Sequence, residues 1–482
     1  MPCTCRKIIK QLAPLLMAMS FTSITAANTL PLLGDYSSSI ISLKTEYNLG
    51  QGIIREIRGA NQSIDDPIVE AYVRDLTLEL VPSSQLTDQR VSIAVIGNLS
   101  VNAFAAPGGV LGIHAGIILT AQSEAELASV ISHELAHLSQ RHFAEQLERQ
   151  RINTPFAIAS LLTGILVAVA NPELGTAVLT STTASQASSQ LAFSRKNEQE
   201  ADHIGMLNLS KAGFDPMAMP NMFSRLLELQ RLQGSSPPEF LLTHPSSSSR
   251  VSDSKNRALS LTNQRKGNND IDFSIVQARI QVKYFLRQKH PLNHFKTKAK
   301  QDPSSINNFT YALALANAHH YQESIAIFAK LPSLWRKHIF VRLSLAQILT
   351  ESSQLTKAQK TLHSLNKIYP DNSAVQLLLA RNHLAGQQPG KAATVLTQLT
   401  KHDPDNADAW YLLAEAQGLA GQKVLLHIAR IEYFQLVGQV QRAKKQLSFA
   451  RREQSLTPKE SYILDDLEVH LEQVESYFKT KF

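Results

Sequence analysis

The alternation of hydrophobic and polar positions changes character near residue 250. From about Asn28 to Leu242 strand-like and helix-like stretches are mixed, and beyond that the pattern is helical. Val91–Ile96 and Val110–Ile113 are short apolar runs of the kind that form strands, with Ala105-Ala-Pro-Gly-Gly109 as the turn between them. Glu124–Arg149 predicts one helix. Phe156–Ala170 carries no charge and closes on Asn171-Pro172, and the uncharged stretch Ala177–Ala192 follows it. The first of these is shorter than the roughly 20 residues a membrane span needs. Residues 156–192 therefore read as core, as a flap, or as a segment that touches a membrane. Ser246–Asp270 is rich in Ser, Asn, Arg and Lys and predicts a linker, assigned to residues 251–270.

The helical half repeats itself. Pro370-Asp371-Asn372 recurs as Pro404-Asp405-Asn406, and Ala358/Ala392 and Ala380/Ala414 keep the same spacing of 34. That period, with small residues where helices must approach and Pro after the second helix, is the tetratricopeptide signature. Looser units are expected at Phe309–Pro332 and Ala429–Arg451.

The N-terminus changes the picture of where the chain works. Arg6, Lys7 and Lys10 precede the apolar stretch Leu12–Ile24, and Thr25-Ala26-Ala27 supplies small residues for cleavage. Residues 1–27 thus read as a cleaved signal peptide. Three of the eight net positive charges lie there, which leaves +5 on the mature chain. No Lys/Arg-rich run argues for nucleic acid. The only cysteines, Cys3 and Cys5, precede the apolar stretch. A mature chain without cysteine suits an oxidising compartment such as a Gram-negative periplasm, and its metal ligands must be His and carboxylates.

The candidate chemistry lies in Ile131-Ser-His133-Glu134-Leu-Ala-His137-Leu138. His133 and His137 are about one helical turn apart and present imidazoles to one point. Two neutral imidazoles suit zinc, and Glu134 between them can act as general base on a water. A third ligand is expected in Ser194–His203, where Glu198 and Asp202 share a helix face. Glu198 would bind metal while Asp202 accepts the spare N–H of a ligand histidine. Spacing leaves Glu200 as a competitor, and His142 and His203 read as structural.

His133-Glu-Leu-Ala-His137 followed by Arg195-Lys-Asn-Glu198-Gln-Glu-Ala-Asp202 resembles the HtpX and CAAX-prenyl-protease family of gluzincin peptidases. Asn102-Ala-Phe-Ala-Ala-Pro-Gly-Gly109 resembles that family's stretch before the motif helix. The resemblance implies that Glu198 is the third ligand to one Zn2+ per chain, and that Asp202 orients a ligand histidine. It also implies that the element Thr243-His244-Pro245 lies near the metal cleft. There His244 either stabilises the transition state or fills the metal's open position at rest. Without several membrane spans, a prenyl-protein substrate does not follow.

The expected fold is α+β, with a zincin-like peptidase domain (28–250) followed by an all-α tetratricopeptide solenoid (271–482). Secreted members of the family with such repeats imply a periplasmic endopeptidase that degrades misassembled outer-membrane β-barrel proteins and assists their assembly. Its partners would be those proteins and their insertion machinery, with peripheral membrane contact possible. The alternative is a non-proteolytic chaperone or scaffold that uses the repeat array. The strand region Phe104–Ile113 is expected to hold substrate by backbone pairing.

Overall fold

The computed structural model describes residues 42–60, 62–149, 194–233, 238–245, 247–261, 270–285 and 291–479. The predicted signal peptide and the uncharged segment 156–192 lie outside the described residues. None of the described helices is long and apolar enough to cross a membrane.

Helix α1 (Leu43–Gly59) is capped by the Ser42 hydroxyl, and α2 (Pro67–Leu80) by Asp66, with Pro67 pre-set for the first turn. Strands β1 (Ser92–Ile96), β2 (Ala103–Ala106) and β3 (Val110–His114) form a sheet of order β1-β3-β2. β3 is buried along its whole length, as a central strand should be, pairing parallel with β1 and antiparallel with β2. The expected turn Ala105–Gly109 is shorter than its sequence suggests. Ala105 and Ala106 pair with Leu111 and Val110, so they extend β2. Only Pro107–Gly109 turns, on the left-handed conformations of Gly108 (φ 73°) and Gly109 (φ 78°). A Cβ on Gly112 would lie 2.2 Å from the Phe104 ring, so glycine there lets that ring cross the strand.

After α3 (Ala115–Thr120), the predicted helix 124–149 is two helices, α4 (Glu124–Ser139) and α5 (His142–Arg149). Arg141 breaks it with φ 53°, and its guanidinium holds Glu46 of α1 at 2.6 Å. The N-terminus of α4 is a capping box. Ser123 accepts from the Glu126 amide, and Glu126 accepts in turn from that of Gln122. Helices α6 (Arg195–Lys211), α7 (Ala218–Gln233), α8 (Glu239–Thr243) and α9 (Ser248–Ser260) complete this half. The expected linker therefore begins as helix α9, which buries Arg250, Ser254 and Ala258.

Helices α10 (Asp270–Phe285) and α11 (Pro291–Gln301) lead into paired helices. The pairs are α12/α13 (Ser305–Asn317, Tyr321–Lys330), α15/α16 (Ile339–Glu351, Leu355–Ile368), α17/α18 (Ser373–Ala385, Pro389–His402) and α19/α20 (Ala407–Leu419, Lys423–Leu436), with short α14 (Ser333–Lys337) interposed. The first helices open at 305, 339, 373 and 407, each 34 residues after the last. His319, Ser353, Gln387 and Gly421 repeat at the same interval within the helix–helix turns, all with φ between 54° and 76°. Three of the four are not glycine and so carry roughly 1–2 kcal/mol of left-handed strain each, which the packed pairs must offset. Asn372 and Asn406 cap α17 and α19 by accepting from the amides of Val375 and Ala409, which explains the recurring Pro-Asp-Asn. The unit expected at 429–451 straddles two elements: Ala429 ends up in α20, and Ala443 in α21 (Val440–Ala450), which precedes α22 (Pro458–Lys479).

The solenoid packs on the peptidase half. Buried residues from Ile64 to Leu379 form one continuous apolar cluster, with α2 against α10 and α17. At the far end α1 meets α20 and α22. Arg279 of α10 clips the halves together: its Nε lies 2.8 Å from Asp66, Nη1 2.8 Å from Ser344 Oγ, and Nη2 2.8 Å from Gln347 Oε1. The fifth residue of each first helix differs in the last pair. Phe309, Leu343 and Leu377 are buried, whereas the equivalent Tyr411 is 56% exposed.

Replacing Arg279 with Ala would strand the buried Asp66 carboxylate. The expected cost is about 3–5 kcal/mol, read as a lower denaturant midpoint; a change below about 1 kcal/mol would be that of a surface pair and would show that the clip is dispensable.

Candidate metal centre

The centre is built where α6 crosses α4. Gly205, one turn beyond Asp202, permits the approach: a Cβ there would meet Ser132 O at 3.0 Å and His133 Cα at 3.1 Å. Close contact brings Glu198 and Asp202 over His133 and His137, all of them buried. His133 Nε2 lies 3.0 Å from His137 Nε2 and 3.5 Å from Glu198 Oε2, and Glu198 Oε1 is 3.5 Å from His137 Nε2. Asp202 Oδ1 sits 3.1 Å from His133 Nδ1. With that N–H given to Asp202, the Nε2 lone pair of His133 faces the cluster.

His244, the residue after α8, joins the group. Its Nδ1 is 3.0 Å from Glu198 Oε1 and 3.4 Å from His133 Nε2, and its Nε2 is 3.5 Å from Glu134 Oε1. One donor atom each from His133, His137, Glu198 and His244 thus lies within 4.8 Å of every other. The arrangement fits a metal ion. Imidazole lone pairs 3.0 Å apart repel unless a proton or cation lies between them, and three imidazoles with a carboxylate make a suitable N/O donor set. Glu134 stands beside this set without entering it.

Two supports were not assigned roles from the sequence. His142, turned back by the break at Arg141, places its Nδ1 3.0 Å from His137 Nδ1 and its Nε2 3.5 Å from Glu200. Glu200, the competing acid, is thus directed at His142 and stands outside the four-donor group. Arg250 spans both acids of α6, with Nη1 2.8 Å from Glu198 and Nη2 and Nε each 2.7 Å from Asp202, while stacking over Phe223. His203 is remote and pairs with Arg257. The Arg141-His142 dipeptide after the motif was the available signal for the first support. Nothing in the spacing of Arg250 announces the second.

The electrostatics follow from burying this many ionisable groups. Burial alone drives the His133 imidazolium down, but hydrogen bonds with Asp202 and Glu198 override it and raise His133 to about 9. His137 falls well below its usual value through burial and repulsion by His133. Burial raises Glu134. It also works against ionised Glu198, yet the neighbouring His244 and His133 hold that carboxyl well below its usual range. A centre without its cation therefore traps a proton where the cation would sit.

Comparison with known proteins agrees with this geometry. Residues 67–258 match the model of peptidase family M48, and residues 373–416 match a tetratricopeptide repeat. The chain is 31% identical to the "Beta-barrel assembly-enhancing protease" of Escherichia coli O157:H7, over 98% of this chain and 99% of that protein. It is 30% identical to the Yersinia pestis protein of that name, over 89% of this chain and 88% of that one. The Arabidopsis thaliana "Mitochondrial metalloendopeptidase OMA1" is 33% identical over 39% of this chain and 36% of its own.

Two outcomes follow. Since a proton on His133 would compete with metal, affinity should rise about tenfold per pH unit below about 9 and then level off. Calorimetry in buffers of different ionisation enthalpy should detect close to one proton released per metal at neutral pH; release near zero would mean that no proton is displaced. Gly205→Val should force α6 from α4, at a cost of roughly 1–3 kcal/mol, and lower the bound metal per chain measured by elemental analysis.

Proposed function

The chain belongs to peptidase family M48, and from that premise we propose that it is a periplasmic zinc endopeptidase acting on outer-membrane β-barrel proteins that fail to assemble. The single observation that carries the catalytic part is the buried group His133, His137, Glu198 and His244 with Glu134 at its side. His133, His137 and Glu198 are the proposed zinc ligands, with Asp202 and His142 orienting the two histidines. Zinc so held would polarise a scissile carbonyl and acidify a water.

The chain's own residues do the rest. Glu134 takes the water's proton and delivers it to the leaving amine, and burial, by raising its pKa, improves it as a proton carrier. β2, which carries Ala105, packs against α4, so this strand lies along the helix that holds the base. Among the described residues β2 pairs with β3 alone, which leaves its other edge for an extended substrate. The substrate carbonyl would then lie across Glu134.

The names of the full-length relatives support the periplasmic barrel-assembly reading, and so does the repeat array. Much of the surface that repeats use for docking is taken up by the peptidase half. The fourth pair is open: Tyr411 is exposed beside Tyr433, with ring centroids 5.4 Å apart, and Tyr433 continues to Phe434. Partner polypeptides dock there in this proposal.

His244 is assigned as a restraint. It reaches Glu198 and Glu134 at once, so an imidazole here both completes the donor set and blocks the base.

Glu134→Gln should keep stoichiometric metal and lose casein cleavage, whereas His133→Ala/His137→Ala should lose both. Near-stoichiometric zinc in the double variant would end the ligand assignment. His244→Ala should raise basal and self-cleavage. A fall would reassign it as a donor to the charged intermediate, and no change would return it to packing.

A further inference from the structure

The positive charge of the chain is concentrated where the solenoid begins. Residues 273–350 hold eleven Lys and Arg against two acids, Asp302 and Glu323, a surplus of nine, while the whole chain has a surplus of eight. Everything outside this stretch therefore sums to −1. Three of the eleven are engaged: Arg279 clips Asp66, Lys283 donates to the Asp65 carbonyl, and Arg342 donates to Ser364. Both acids are engaged as well, Asp302 by the Ser304 amide and Asn307, and Glu323 by His320. Arg287 and Lys289 lie outside the described residues. That leaves Lys296, Lys298 and Lys300 on α11, Lys330 on α13, and Arg336 and Lys337 on α14. All six are exposed, and none of their side chains is in an ion pair among the described residues.

The fold gathers these six. Phe295 and Ala299 turn α11 onto α12 and leave the three lysines around its solvent side. α14 has no buried residue and is held by Trp335, whose ring lies 6.0 Å from that of Phe309 in α12. Phe309 also meets Phe328 of α13, with ring centroids 5.5 Å apart. Thus α11, α13 and α14 are packed around one helix. α11 and α14 each end a few residues before a first helix, α12 or α15. Successive repeats are related by a small rotation, so first helices run alongside in the same direction, and both ends meet one edge of the array. Lysine near a helix C-terminus offsets the dipole there. Three such ends carry only about −0.5 each, too little for six cations.

Beside these charges Leu334 is 68% exposed. A surface helix that carries an exposed leucine, a tryptophan and two cations suits the boundary of a bilayer. Cations meet headgroup phosphates there while the apolar group enters the acyl edge. An acidic polypeptide would use the charges and leave Leu334 in water. We propose that the edge formed by α11, α13 and α14 docks the protein on a membrane surface of anionic lipid, with Leu334 as its apolar contact. The proposal stands apart from the reading of the metal centre, because none of these residues belongs to it.

The test is co-sedimentation of the purified full chain with vesicles of equal parts phosphatidylglycerol and phosphatidylcholine, and with vesicles of phosphatidylcholine alone. The protein should sediment with the first and not the second, and should be released at about 1 M salt, where charges are screened beyond about 3 Å. Lys296→Gln/Lys298→Gln/Lys300→Gln should weaken binding about a hundredfold, at roughly fivefold per cation. Arg336→Gln/Lys337→Gln, on a different helix, should weaken it about twenty-five-fold on the same scale. Leu334→Ser should weaken it about fivefold, the effect of withdrawing part of one leucine from the acyl edge. Casein cleavage without vesicles should stay at the parent level in all three variants. Equal binding to both kinds of vesicle, or binding undiminished in the two charge variants, would overturn the proposal. Capture of soluble polyglutamate as tightly as the anionic vesicles, with Leu334→Ser without effect on either, would assign the edge to an acidic polypeptide and overturn the lipid surface.

Discussion

Two carboxylates one helical turn apart, Glu198 and Asp202, are buried side by side, and the centre follows from how their charge is balanced. Burying one unpaired carboxylate costs several kcal/mol, and burying two on one face of α6 without compensation would unfold the helix from its partner. Arg250 spans both from one side. From the other side come His133 and His244, and in the loaded protein the cation. The fork geometry of guanidinium suits this task, since its nitrogens reach both acids at 2.7–2.8 Å. Helix α9 is therefore part of the centre although it holds no ligand.

The same balance explains why the surrounding elements are short and individually anchored. α5 restarts after a left-handed Arg141 so that His142 faces His137, and α8 delivers His244 from a grip on the loop before β2. Each support comes from a different part of the chain. The two motif histidines are thus held independently, His133 by Asp202 and His137 by His142, while Gly205 permits the close approach of α6 to α4.

The solenoid has a structural use within the chain itself. A repeat array buries its apolar faces on its neighbours, and here it also buries the outer faces of α2 and α3, through α10 and α17. Peptidase and repeats share one core, clipped by Arg279 and Asp66. Cutting the chain near residue 255 would divide α9 and uncover that core. The fourth pair meets the peptidase half through α20 against α1, and the position filled by Phe309, Leu343 and Leu377 in the earlier pairs carries an exposed tyrosine there.

What the sequence determined by itself was local. Helical spacing placed His133, Glu134 and His137 on one turn, and a period of 34 marked the repeats, because one turn of helix and one helix pair are both written in adjacent residues. Register over four pairs, the break at Arg141 and the extension of β2 to Ala106 were not legible. Non-glycine residues at left-handed turns and alanines in an edge strand carry no compositional mark, and neighbours in space decide them. The tie between Glu198 and Glu200 had no solution from spacing, since spacing does not say which face of their helix meets the histidine pair. Tertiary packing separates them: the approach at Gly205 places Glu198 beside the histidine pair and Glu200 beside His142. The contacts of Arg250 with Glu198 and Asp202 likewise came only from the fold, because charge balance among buried groups depends on distances across the chain, and a linear sequence holds none of them.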